Sequence, residues 1–297
     1  MQHLLFIYNP TSGTGKIKME LSAILDIFTK SGWLTTVYPT QKKGDAVDIV
    51  EKIGNQFSRI ICAGGDGTLS EVSSGLMRLD APPPLGYIPF GSTNDCAATL
   101  HLPKGAKQAA LSAAGAGTVV PIDMGLLNNR PFVYVAAFGA FTKVAYDTPQ
   151  DLKKTFGHLA YIFGGIASLP TISPYHLRVE YDGNVLEDDF YFGMVSNALS
   201  IGGLKTPHME QVVLDDGLFE VTLVKKPLSL ADLANGLQAL LNPTQMDGGA
   251  LIHFQAKDIT FICDQSISWT IDGEFGGCEQ VNHVVNRNKA LNMIQGT

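Results

Sequence analysis

Four apolar runs near the start of this chain, LLFIY, LTTVYPT, RIICA and LGYIP, are each followed by a stretch with helical character. After the first, Ile17, Leu21, Ile24, Leu25 and Phe28 recur on one helix face. After the others come AVDIVEKIGNQF, LSEVSSGLM and NDCAATL. Strands that alternate with helices of this length predict a parallel sheet covered on both faces. The pattern changes after about residue 120, where DMGLLNNRPFVYVAAF, HLRVEYDGNVLEDDFYFGMVSN, LFEVTLVKK, DITFICDQ and SISWTIDGE read as strands joined by short turns. LKKTFGHLAYIFGGIASL and LSLADLANGLQALLN are the best helical stretches in that half. Closely spaced strands with Asp, Gly and Asn turns predict an antiparallel second domain, a sandwich or barrel. With no Pro/Ser-rich linker between them, the halves are expected to pack along a cleft.

Charge and composition narrow the function. A net charge of −7 over 297 residues gives no basic face for a phosphate polymer, so nucleic acid is excluded as an expected partner. The N-terminus MQHLLFIYNPTSG lacks a basic n-region and a small-residue cleavage site, which reads as a cytoplasmic protein without a signal peptide. PFVYVAAFGAF and the other apolar stretches fall short of the roughly 20 residues that cross a bilayer. Cys62, Cys96, Cys263 and Cys278 are widely spaced and read as buried free thiols.

The chemistry is expected at the carboxyl ends of the parallel strands, where helix N-termini offer free N–H groups to anions. Three strand-to-helix turns have the composition for this: NPTSGTGK, GGDGT and PFGSTND. A lone glycine turn is weak, but three in one half, each mixing glycine with Ser, Thr or Asn, point to phosphate. Familiar fingerprints fail. Pro10 stands where the first glycine of a P-loop belongs and Ile17 follows the lysine, while Lys16 and Lys18 occupy the positions around the last glycine of a dinucleotide motif. Asp66 would repel polyphosphate oxygens unless a divalent cation stood between, so the turns call for a magnesium-bound nucleotide.

NPTSGTGK, GGDGTLSEVSSGL and PFGSTNDCAATL, followed by VVLDDGLFEV and WTIDGE, resemble the diacylglycerol kinase catalytic family of bacterial lipid kinases, which shares its nucleotide turns with sphingosine and ceramide kinases. The resemblance runs essentially end to end. It implies an α/β ATP-binding domain over residues 1–122, a β-sandwich lipid-substrate domain over 123–284, a C-terminal segment from about 285 returning to the first domain, and an active site between the two. ATP would be held by Asn9, Pro10, Thr11, Ser12 and Gly13, by Thr40, by Gly64, Gly65, Asp66, Gly67, Thr68 and Glu71, and by Thr93. Ser70 stands where the family usually has asparagine.

In SISWTIDGE, Ile267, Trp269 and Ile271 alternate with Ser268, Thr270 and Asp272, which places Asp272 on a polar face at the strand's end. Alone this is an Asp-Gly hairpin turn. By resemblance Asp272 is the general base, with Glu274 in the same acidic network. VVLDDGLFEV likewise reads as a plain turn, to which the resemblance adds a structural Mg2+ on Asp216 and the carbonyls of Val213 and Leu218. For contact with an anionic membrane surface the candidates are Lys153 and Lys154, or Lys225 and Lys226.

The expected activity is therefore transfer of phosphate from ATP to a lipid alcohol, with diacylglycerol foremost, by a protein peripheral to the inner face of the membrane; a homodimer is left open. A kinase of a soluble alcohol such as NAD, and a non-catalytic nucleotide- or lipid-binding module, are the alternatives.

Overall fold

The computed structural model describes residues 2–139, 173–201, 204–205, 212–226 and 251–296. The helices expected over 152–169 and 228–242, with Lys153 and Lys154, lie outside them. The chain divides into two compact units, one of residues 1–124 and 288–297 and the other of 125–287.

In the first unit, β1 (Gln2–Tyr8), α1 (Ile17–Lys30), β2 (Trp33–Pro39), α2 (Asp45–Ile53), β3 (Arg59–Gly64), α3 (Asp66–Leu76), β4 (Leu85–Pro89), α4 (Asp95–Thr99) and α5 (Ala106–Leu111) alternate as the sequence predicts. β1 pairs in parallel with β2 and β3, and β3 with β4, giving the order β4-β3-β1-β2. Leu4, Phe6, Ile61, Ala63 and Ile88 of the sheet are buried with Ile17, Ile24 and Phe28 of α1, while Leu21 and Leu25 pack on the rim of that core. The Phe6 and Phe28 rings meet edge to face with centroids 5.2 Å apart, a favoured aromatic geometry.

β5 (Thr118–Leu127) leads the chain out of the first unit. The second unit then holds β6 (Arg130–Phe132), β7 (Val135–Gly139), β8 (Tyr175–Tyr181), β9 (Asn184–Ser196), the two-residue strands β10 (Ser200–Ile201) and β11 (Leu204–Lys205), β12 (Phe219–Lys225), β13 (Leu251–Ala256) and β14 (Asp258–Ile271). Their pairings are antiparallel, in the order β13-β12-β9-β7-β14, with β8 bridging β14 and β9. β9 and β14 each pair with β7 near one end and β8 near the other, so the sheet curls over a core of Phe138, Phe261 and Trp269, whose ring centroids lie 4.8 to 5.6 Å apart. The fold is thus an α/β domain followed by a β-sandwich-like one.

DITFICDQ and SISWTIDGE, expected as separate strands, are one strand, β14. The polar residues Asp264, Gln265 and Ser266, which suggest a turn, are exposed within a register irregularity between Ile262 and Ile267. Cys278 is exposed, unlike the other cysteines.

β15 (Glu274–Gln295) begins in the second unit and ends in the first, where Met293 pairs in parallel with Leu85 of β4. Asp123, fully buried, fastens this return: its carboxylate accepts the Lys289 N–H at 2.7 Å and an Asn288 Nδ2 hydrogen at 2.9 Å. Gly296 N–H reaches the Leu100 carbonyl.

Candidate functional site

The third glycine-rich turn of the first unit touches the other two. Asn9 follows β1, and its side-chain oxygen accepts the N–H and hydroxyl of Thr11, an Asx turn that shapes the loop from Asn9 to Gly13. Gly13 has φ +58°, and a Cβ there would stand 2.6 Å from the Phe90 carbonyl oxygen, so the first turn lies against the third through a position only glycine fits. The second and third turns approach as closely: a Cβ on Gly91 would be 2.8 Å from Gly65 Cα.

Asp66 opens α3, and its Oδ2 accepts the Asn94 N–H at 3.0 Å. Asn94 sits in the left-handed region with φ 55° and folds its amide over its own turn, Oδ1 accepting from Gly91 N and Nδ2 donating to Gly91 O, each at 2.8 Å. Tyr87 reinforces the pair by donating its hydroxyl to the Gly64 carbonyl. Asp66 is therefore held by the third turn while standing at a helix N-terminus, where N–H groups and the helix dipole favour phosphate.

Thr40 follows β2, its N–H bonded to the Tyr8 carbonyl at the end of the neighbouring strand. Glu71 lies on α3, and its two oxygens accept the N–H groups of Gly44 and Ala46 at 2.9 and 3.4 Å, so its visible role is to cap α2. Thr68 folds its hydroxyl over Gly64, and Thr93 is exposed.

In the second unit Asp272 and Gly273, with φ 48° and 83°, form the two-residue turn between β14 and β15, as an Asp-Gly hairpin should. The turn does not leave Asp272 in solvent. Only 4% exposed, its carboxylate accepts the N–H of Val133 at 2.8 Å, of Tyr134 at 3.1 Å and of Val135 at 3.2 Å, while its own N–H donates to the Val135 carbonyl. Three N–H donors suit a carboxylate rather than a carboxylic acid. Donors from three successive residues fix the orientation of Asp272. The alternation that marks a polar face is present, but that face is buried at its end, with Thr270 also covered. Glu274 is half-buried as the first residue of β15, opposite Ile271.

The turn before β12 contains Val213, Leu214, Asp215, Asp216, Gly217 and Leu218. Asp216 Oδ1 accepts the Leu218 N–H at 2.9 Å, and Gly217 takes φ 84°. Among the described residues no cluster of three or more His, Cys, Asp or Glu is placed to hold a metal. One exposed carboxylate with nearby main-chain carbonyls is a different kind of donor set, hard and oxygen-only, and fits magnesium.

Lys225 is half-buried and paired with Asp188 at 2.6 Å, which holds the Asp188 carboxyl below its ordinary range. Lys226 is exposed. No described helix is long and apolar enough to cross a membrane.

Comparison with known proteins decides the family. Residues 3–127 match the diacylglycerol kinase catalytic domain, and residues 136–294 match the YegS C-terminal NAD kinase beta sandwich-like domain. The chain is 34% identical to a diacylglycerol kinase of Bacillus subtilis across 93% of its own length and 91% of that protein. It is 36% identical to a Staphylococcus aureus diacylglycerol kinase across 91% and 85%. This chain belongs to the diacylglycerol kinase catalytic family. The fold agrees: a crystal structure of a diacylglycerol kinase from Bacillus anthracis superposes with TM-score 0.77 at 23% identity, covering 99% of this chain and 97% of that one. Members of the diacylglycerol kinase catalytic family are kinases, and this chain is a kinase enzyme.

Within that family assignment, the residues the motifs did not single out are those that hold the named ones. Asn94 is visible in PFGSTND as an asparagine at a turn, the type that tolerates the left-handed region, but its clasp on Gly91 and Asp66 needs the fold. Val133 to Val135 act through main-chain N–H groups and leave no side-chain signal.

Proposed function

We propose that this kinase is ATP- and magnesium-dependent and transfers the γ-phosphate of ATP to a lipid hydroxyl, with diacylglycerol as acceptor and phosphatidic acid as product. The observation that supports this reading is the packing of the third glycine-rich turn against the other two, Phe90 against Gly13 and Gly91 against Gly65, with Asn94 of that turn bonded to Asp66. The names of the B. subtilis and S. aureus relatives supply the acceptor.

In such a site the turns Asn9–Gly13 and Gly64–Thr68 would cradle the phosphates, bordered by Thr40, Glu71 and Thr93, while Asp66 would face the phosphates through a divalent cation. Bound magnesium would supply neutralisation of phosphate charge. Asp216, with the carbonyls of Val213 and Leu218, would hold a second, structural magnesium. Asp272, as general base, would accept a hydrogen bond from the acceptor hydroxyl, orient the oxygen and take its proton as the phosphate arrives, with Glu274 adding negative charge beside it. Phosphoryl transfer asks mainly for positioning and charge stabilisation, so a fixed carboxylate is adequate even where proton removal comes late. A lipid acceptor implies peripheral contact with the cytoplasmic membrane face, for which Lys153 and Lys154, or Lys225 and Lys226, are the candidates.

The C-terminal domain's likeness to NAD kinase favours one second reading, phosphorylation of a soluble alcohol. Transfer of labelled phosphate from ATP to a panel of lipids in mixed micelles, run beside NAD and other soluble alcohols, separates them. Selective labelling of diacylglycerol is expected. Labelling of NAD alone would replace the lipid reading, and no labelling of any acceptor would leave a binding module.

A further inference from the structure

We propose that Asn197 is a positioning residue that fixes the Asp216 turn relative to Asp272. The inference rests on the reading of Asp272 as the group that orients the acceptor hydroxyl. Asn197 stands one residue past the end of β9 and is only 5% exposed. Its main-chain N–H donates to the Tyr134 carbonyl at 3.0 Å, and Tyr134 is the middle one of the three residues whose N–H groups hold the Asp272 carboxylate. Its side-chain Nδ2 donates to the Leu214 carbonyl at 3.2 Å, two residues before Asp216. One residue thus grips the cradle of one carboxylate with its backbone and the turn of the other with its side chain.

The placement is set by the sheet. Ser196 pairs with Val135 of β7 on one side and with Glu220 of β12 on the other, so β9 and β7 end on one rung and β12 one residue beyond it. Beyond that rung the ladder no longer fixes spacing, and Asn197 supplies the next cross-link. The connection from Asp272 through Tyr134 and Asn197 to Leu214 runs through a carboxylate, main chain and a short amide, so a shift of the turn is passed on rather than absorbed. Other residue types fit poorly. Aspartate would set a carboxylate against the Leu214 carbonyl, and alanine would leave that part-buried carbonyl without the amide.

The test uses the full chain with Asn197→Ala and Asn197→Ser, each alone and combined with Asp272→Asn. Three quantities are read: amide hydrogen exchange at Leu218, whose N–H bonds Asp216; single-turnover phosphorylation of diacylglycerol in mixed micelles; and KM for ATP. In Asn197→Ala, Leu218 exchange should quicken and turnover fall, each by about tenfold, the scale of one hydrogen bond, with KM for ATP unchanged. Asn197→Ser, which keeps a hydroxyl donor, should lie between and carries the readouts if the alanine variant does not fold. Added to Asp272→Asn, the alanine change should cost no further activity. Unchanged exchange at Leu218, or an equal loss of turnover on top of Asp272→Asn, overturns the proposal. Should Asp272→Asn alone keep native turnover, the orienting role of Asp272 fails, and exchange at Leu218 then decides by itself whether Asn197 fixes the turn.

Discussion

The main-chain N–H of Asn94 donates to the carboxylate of Asp66 across 3.0 Å, joining two turns that lie 28 residues apart in the chain. A carboxylate expected to act through a metal is therefore also a structural tie. Its two roles can be pulled apart by choosing the substitution.

Asp66→Asn keeps an oxygen to accept the Asn94 N–H and removes the charge; Asp66→Ala removes both. Alanine should lower stability by about 1.5–3 kcal/mol, the scale of a hydrogen bond to a charged group, and asparagine by less. Both should lose magnesium-ATP binding and transfer. Chemical denaturation of the two variants, beside an ATP titration, checks this. Native ATP affinity in Asp66→Asn would confine Asp66 to the structural role.

Asn94 should reverse an ordinary ranking. Glycine usually destabilises relative to alanine in a helix, but Asn94 has φ 55°. Alanine there loses the clasp on Gly91 and also meets the left-handed penalty of about 1–2 kcal/mol. Asn94→Gly is expected to unfold at a higher temperature than Asn94→Ala, measured by calorimetry on both.

Asp272→Asn turns an acceptor-only group into one bearing N–H bonds that face backbone donors. Since the site is buried, the variant should lose about 1–3 kcal/mol, the cost of unmatched donors, while remaining folded at low temperature. There its transfer rate should fall about a hundredfold or more, with ATP affinity kept. Single-turnover kinetics with a parallel ATP titration test the two parts. Undiminished transfer would leave Asp272 a turn residue with a well-filled hydrogen-bond shell.

His176 should titrate above its ordinary 6.5, because Asp189 and then Glu187 bond to its ring. A raised folded pKa contributes stability that is fully present below 6.5 and fades as pH climbs through the folded value. NMR titration of the ring should give a midpoint above 6.5, and Asp189→Asn should lower it. A midpoint unmoved by that change would remove Asp189 as the cause.

Much of the first unit was legible because period and position agree: Ile17, Ile24 and Phe28 repeat at helical spacing and are buried together. The glycine turns were legible for a similar reason, since Gly13 and Gly91 stand where any Cβ would strike backbone or a fixed amide. The second unit was harder. Asp264 to Ser266 look like a turn, and only pairing partners on β8, β7 and β15 show one continuous strand. Asp272 was found as a residue but not as a buried one, because the N–H groups that cover it come from positions 133–135, which sequence spacing does not connect to it.

The path of β15 also has a consequence for synthesis. β4 gains its second neighbour only when Met293 arrives beside Leu85, after the whole second unit has been made. While a ribosome is still translating the second unit, β4 of the first unit presents an open, apolar edge to whatever strand comes near. The half that emerges first is the last to be finished. A nascent chain of this protein must either stay short of stable sheet formation or be shielded along that edge until Met293 has been made.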